Sequence, residues 1–151
     1  MAFTVKFDKD IVNKLVNESA ADALECAAFE IAEKSADLCP VDTGNLKSSL
    51  YILLDRESLS VKIGYKAPHA WIQHEKHYKH KIGEWKYLEK PLDANTALIF
   101  QMVNDTIKAA LDGRSWKKLG AADREKYSWD NYKRVAKGQS KRNKRSHHKR
   151  Q

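Results

Sequence analysis

Between Asp8 and Pro40 the apolar residues return every three to four positions. Ile11, Leu15, Leu24, Ala27, Ala28, Ile31 and Leu38 share the spacing of one helix face in a stretch rich in alanine. Asp8 stands where its carboxylate can cap the free amides of a first turn, and Phe7 can pack on Val12 to fix the angle of chain entry. Pro40 forces Cys39 out of helical geometry, so the pattern predicts one helix of about thirty residues from Asp8 to the Cys39-Pro40 step. Seven alanines (Ala20, Ala21, Ala23, Ala27, Ala28, Ala32 and Ala36) would let another backbone approach it closely.

Beyond the turn residues of Pro40-Val41-Asp42-Thr43-Gly44-Asn45 the period changes. Leu59, Val61 and Ile63 alternate with Ser60 and Lys62, the two-residue period of a strand with one buried face. Ser49 to Leu54 precedes it across Asp55-Arg56-Glu57-Ser58, which predicts an antiparallel hairpin. The run Leu50-Tyr51-Ile52-Leu53-Leu54 is apolar on both faces, as in a strand covered on its second side by a helix or by another subunit. Tyr65 to Glu89 has no clean period, is dense in aromatic residues and histidine, and reads as a structured loop ending in a short strand near Glu84 to Leu88. From Pro91, Leu92, Ile99, Met102, Val103, Thr106, Ala110 and Leu111 keep helical spacing to Gly113, a natural C-terminal cap. The order predicts an α+β domain over residues 1–113: a long first helix and a later helix packed on a small antiparallel sheet.

Charge divides the chain at the same place. Residues 1–113 carry 14 Lys+Arg against 17 Asp+Glu, whereas residues 114–151 carry 14 against 3. The 114–151 extension contains a candidate third helix, Ala121 to Ala136, carrying Tyr127, Trp129 and Tyr132. It ends in a run that cannot bury a core and is expected to be disordered alone. Lys141, Arg142, Lys144, Arg145, Lys149 and Arg150 are its candidate contacts to nucleic acid or a partner, through phosphate neutralisation with nearby aromatics for stacking. No apolar run approaches the roughly 18 residues of a membrane span, and MAFTVKFDKD has acids where a signal peptide would carry its apolar segment, so neither membrane anchoring nor signal-peptide export is expected. Cys26 and Cys39 are too far apart along one helix to bridge and read as reduced thiols.

Candidate chemistry is thin. His69, His74, His77 and His80 invite a zinc reading, but His74-Glu75-Lys76-His77-Tyr78 puts tyrosine where a metalloprotease helix needs its second histidine, and no cysteine pair is near. Neither cysteine has a context that would lower its pKa, and Ser48 and Ser49 lack a partner base. There is no phosphate-cradling glycine loop. The expectation is a protein that is not an enzyme and has no cofactor.

Two segments in order carry a resemblance: Cys39-Pro40-Val41-Asp42-Thr43-Gly44-Asn45-Leu46-Lys47-Ser48-Ser49-Leu50, and His69-Ala70-Trp71-Ile72-Gln73-His74-Glu75 continuing through His80, Gly83 and Lys86-Tyr87-Leu88-Glu89-Lys90-Pro91-Leu92. Over roughly residues 8–112 the chain resembles the tail-completion or neck proteins of tailed bacteriophages, also described as head-tail joining or minor capsid proteins. Lys47 stands for the usual arginine, His69 for tyrosine and Tyr87 for phenylalanine. The resemblance implies a structural virion protein, assembled in the host cytoplasm, whose subunits form a ring, commonly a hexamer, at the head-tail junction around the DNA channel. Its neighbours would be head-connector, tail-terminator or tail-tube proteins. It implies a structural loop of Pro40, Val41, Asp42, Thr43, Gly44 and Leu46, with Asp42 and Thr43 bonding to backbone and Gly44 in a glycine-only conformation. His74, Glu75 and His80 would be polar anchors, joined by Gly83, Lys86 and Leu88. A net-negative body suits a channel through which DNA passes without sticking. The alternative, from another class, is a nucleic-acid-binding protein acting through its basic arm.

Overall fold

The computed structural model describes residues 8–114. In chain order it contains α1 (Lys9–Leu38), α2 (Asn45–Ser48), β1 (Leu50–Asp55), β2 (Ser60–Tyr65), α3 (Ala70–Glu75) and α4 (Glu89–Leu111). This is the expected α+β arrangement, two long helices with one antiparallel hairpin. Phe7, the Ala121–Ala136 segment and the six basic residues from Lys141 to Arg150 lie outside the described residues.

α1 starts where its cap dictates: Asp8 Oδ1 accepts from the amides of Asp10 (3.0 Å) and Ile11 (3.2 Å). From Ser19 to Ala36 its small residues are buried, and both neighbours approach it there. On one side Ala32 and Ala36 pack with Leu50, Ile52, Ile63 and Tyr65 of the hairpin. On the other lies α4, whose Asn95 side-chain oxygen accepts from Lys34 Nζ. α4 begins beside the end of α1 and packs along it, so the two run antiparallel. With equal rise per residue, Lys34 opposite Asn95 puts Ala23 opposite Thr106 and Ala20 opposite Ala109, and all four of those are buried. Residues 9–17 of α1 extend past the end of α4, and none of them is buried.

The hairpin lies one residue later than its pattern suggested, pairing Leu50 with Tyr65, Ile52 with Ile63 and Leu54 with Val61. These residues form the face toward α1. The opposite face carries Tyr51 and Leu53; Tyr51 lies over Gly64, where an added Cβ would come 2.8 Å from the phenol oxygen, and Leu53 is 44% exposed. The second face of this strand is therefore not covered by a helix among the described residues. The turn is set by Asp55, whose carboxylate accepts from the amides of Glu57 and Ser58 and from the Ser58 hydroxyl.

Two expectations need correction. Glu84 to Leu88 is not a strand: Gly83 (φ +93°) and Lys86 (φ +52°) break extended geometry, and residues 85–88 form a turn into α4. The loop before it contains α3. The last helix begins at Glu89, two residues before Pro91, which sits in the first turn where no amide is needed. Its end is as expected: Gly113 (φ +72°) donates to Ala110 O and Arg114 to Ala109 O, a Schellman closure. No helix among the described residues is long and apolar enough to cross a membrane.

Candidate functional site

The two segments that carry the resemblance meet in space. α1 stops at Cys39, whose amide bonds to Ser35 O before Pro40 turns the chain away. Val41, Asp42 and Thr43 follow as an exposed run, and Gly44, at φ +78°, starts α2. Thr43 Oγ1 accepts from the Asn45 amide (3.4 Å), as expected of it. Asp42 makes no such bond among the described residues; its carboxylate stays in solvent, and the turn is held instead by Gly44 O accepting from Ser48 N (3.0 Å). Leu46 drops into a core with Cys39, Ala67, Ala70 and Tyr87.

The second segment wraps around the first. Ser49 Oγ receives the Ala67 amide (3.1 Å) and Ser49 O receives the Lys66 amide (3.1 Å), delivering the chain from β2 to α3. After α3 the loop returns across the end of α1: Glu84 N donates to Leu38 O (2.8 Å) and Val41 N to Ile82 O (3.4 Å). Between these bonds Gly83 touches the Cys39-Pro40 backbone so closely that a Cβ would lie 2.5 Å from Pro40 Cα. One of the carbonyls that ends α1 is satisfied this way.

His74 ties α3 to α4. Its Nδ1–H donates to Glu75 Oε1 (2.8 Å), which leaves Nε2 free to accept the Glu89 amide at 3.4 Å, and its own carbonyl receives the Lys86 amide (2.9 Å). Lys86 pairs with Glu89 (2.8 Å); the bond holds the carboxyl below and the ammonium above their ordinary ranges, modestly for exposed groups. Tyr87 was not singled out as a site residue, yet it is the hub: 1% exposed, edge-on to Tyr65 (4.9 Å) and His74 (5.1 Å), and donating to Ala70 O at 2.9 Å. Its one visible signal was a tyrosine where the resemblance calls for phenylalanine. Leu88 packs against the same cluster. Burial raises the Cys39 thiol to about 11 and pushes the Tyr65 and Tyr87 phenols up too. Neither cysteine is in a disulfide.

The histidines do not converge. Ligand atoms of His74, Glu75 and Glu89 lie within 4.8 Å of one another, a spacing that would admit a cation. Both His74 nitrogens are already bonded and Glu89 is paired with Lys86, so the group works as a hydrogen-bonded lock. His77 packs on Trp85 (5.2 Å) and His80 edge-on to Tyr78 (6.3 Å), away from that lock. His69 is exposed at the rim of a cleft of about 460 Å³. One wall of the cleft is Pro40 to Leu46; the other includes Gln73, Lys79, His80 and Lys81. His80 is not the bonded anchor it was expected to be, for its Nε2 is buried with no partner, as is Gln73 Oε1.

Compared with known proteins, the chain matches no family model, no curated protein and no solved structure.

Proposed function

We propose that this chain is a structural virion protein of a tailed phage, a ring subunit at the head-tail junction surrounding the DNA channel. The observation that carries the reading is the surface. Twelve large hydrophobic side chains, from Val41 at 37% to Trp71 at 70% exposed, stand out on several sides of so small a body. They occupy the projecting end of α1 (Ile11, Leu15), the outer side of α4 (Leu98, Phe100), the open face of the hairpin (Leu53) and α3 (Trp71, Ile72). Scattered single apolar residues are ordinary, but exposed apolar faces on different sides suit a subunit whose neighbours cover it from more than one direction. Ring subunits need two different complementary patches, since each contact is heterologous. The sheet has two strands among the described residues, so neither strand has a second strand partner there, which adds a further surface to cover.

The loop of the resemblance serves this function structurally, by fixing α3 and its exposed apolar side chains against the ends of α1 and α4. Light scattering and negative-stain imaging of the full chain, alone and with virion proteins, test the reading. Rings of defined symmetry, hexameric by the resemblance, or density at the head-tail junction are expected. A chain that stays monomeric in every mixture and is absent from virions refutes it.

A second reading rests on the 14 basic against 3 acidic residues of 114–151: nucleic-acid binding through this arm alone. It predicts that truncation after Gly113 removes the salt-dependent DNA binding.

A further inference from the structure

The body's net negative charge is unevenly spread. Residues 8–59 carry 5 bases against 11 acids, whereas residues 60–90 carry 7 lysines against 3 acids. Inside the second stretch, Lys76-His77-Tyr78-Lys79-His80-Lys81 has no acid at all. The next two lysines in the chain are neutralised, Lys86 by Glu89 and Lys90 by Glu84. Lys76, Lys79 and Lys81 form no ion pair among the described residues, and all three are exposed. The loop bearing them is pinned at both ends, by Lys76 N on Ile72 O (3.0 Å) and by Glu84 N on Leu38 O (2.8 Å).

Two of those lysines line the cleft, and the residue between them is His80 with its unpartnered Nε2. Charge chooses the occupant of that cleft. Lys79, Lys81, His69 and His80 face a single lining carboxylate, Asp42, so the occupant is an anion. The Thr43 hydroxyl on the opposite wall adds a neutral donor. Three solvated lysines along six residues, a path of at most about 20 Å, match a polymer with repeated charges better than one carboxylate.

We propose that the cleft and the Lys76–Lys81 loop form a phosphodiester-binding surface that meets the DNA backbone, with the three exposed lysines neutralising successive phosphates. The inference rests on the ring reading for the reason DNA passes this surface, and it assigns the contact to the body rather than to the basic arm. The net-negative body thereby turns one positive loop to the DNA, in place of a uniformly repelling wall.

The test uses the full chain and a 20-base-pair duplex, with affinity measured by anisotropy across a series of salt concentrations. The triple variant K76Q/K79Q/K81Q is compared with a control triple, K9Q/K14Q/K108Q, in exposed positions elsewhere. Each lost phosphate contact lowers the slope of log affinity against log salt by about 0.9, so the loop variant is expected to lose about two to three units of slope and the control almost none. Unchanged melting temperatures establish that the variants fold. Equal slopes in the loop and control triples overturn the proposal, as does loss of polyglutamate binding by the loop variant while duplex binding stays intact, which would make the cleft a site for an acidic peptide. Particle mass and symmetry are read separately: rings with unaltered slopes keep the ring reading and discard the contact, and slope loss without rings does the reverse.

Discussion

Gly44 and Gly83 form a matched pair on which the packing of the central loops can be tested. Both have left-handed φ, +78° and +93°, so alanine at either costs about 1–2 kcal/mol of backbone strain. They differ in the space a methyl group would find. At Gly44 nothing lies within 4 Å, whereas at Gly83 the methyl would sit 2.5 Å from Pro40 N and Cα and 2.7 Å from the Cys39 carbonyl carbon. Those are backbone atoms of the segment that closes α1, and no rotamer change can move them. Relief requires the two chain segments to part by roughly 1 Å, which breaks or stretches the Glu84-to-Leu38 and Val41-to-Ile82 bonds. Overpacking adds about 1–3 kcal/mol and each lost backbone bond about 1 kcal/mol. Gly83→Ala is therefore expected to cost about 3–6 kcal/mol against about 1–2 kcal/mol for Gly44→Ala, a large part of the roughly 5–15 kcal/mol that stabilises a domain. Urea unfolding of the full chain, followed by tryptophan fluorescence and extrapolated linearly, measures both. Asparagine, which tolerates left-handed backbone, should recover part of the loss at Gly44 and none at Gly83. Two alanine variants within about 0.5 kcal/mol of each other, the ordinary error of such comparisons, would refute the argument that Gly83 is required by contact.

Tyr87→Phe should cost about 1 kcal/mol by losing the bond to Ala70 O, whereas Tyr87→Ala should cost about 3–5 kcal/mol through the cavity, both read by the same unfolding curves. Ala23→Leu, at a position 0% exposed between α1 and α4, should destabilise by about 1–3 kcal/mol through overpacking, while Glu30→Leu on the exposed side should change little. A thiol reagent at pH 8 should modify the partly exposed Cys26 well before Cys39. Because the Cys39 thiol is raised to about 11 when folded, the chain binds its proton more tightly folded than unfolded; stability is unaffected at pH 7 and falls as pH rises from about 9 toward 11, a slope that Cys39→Ala reduces. Asp55 shifts the other way, held below the usual carboxylate range first by the Ser58 hydroxyl and then by the Ser58 and Glu57 amides. Its contribution to the turn is intact above the ordinary carboxylate pKa and is lost as pH falls through the lowered one, a loss that NMR titration of the hairpin amides should detect and Asp55→Asn should abolish.

The elements legible in the sequence were those whose signals are local. Asp8, the alanine-rich spacing and Pro40 bound α1 nearly to the residue, and Asp55 with the alternation of Leu59, Val61 and Ile63 placed the hairpin within one position. α2 and α3 carried no periodic signal because each is held by tertiary bonds: Leu46 and Ala70 enter the same small core, and His74 is fixed from α4. The supposed strand near Glu84 to Leu88 failed for the same reason. Trp85, Tyr87 and Leu88 look like strand residues, but Tyr87 is drawn inward by Tyr65, His74 and the Ala70 carbonyl, at the expense of a left-handed Lys86. The cleft was invisible in the sequence, since its walls are about thirty residues apart and are brought together by tertiary contacts, the close approach at Gly83 among them. What could have been read was the acid-free run from Lys76 to Lys81, hidden inside a body whose net charge is negative.

This arrangement explains why a polar, histidine-rich motif need not be a reaction centre. The ends of α1 and α4 and both ends of α3 come together within a few residues, so several helix termini must find hydrogen-bond partners in one place. His74 serves one with its ring, Nε2 accepting the Glu89 amide while Nδ1–H is held by the Glu75 carboxylate, and another with its backbone carbonyl, which takes the Lys86 amide. Gly83 lets the loop lie against α1 closely enough to supply a donor to Leu38 O, and Tyr87 closes α3 from beneath. Each motif residue with a bonded role is thus used to lock three helices that carry exposed apolar side chains.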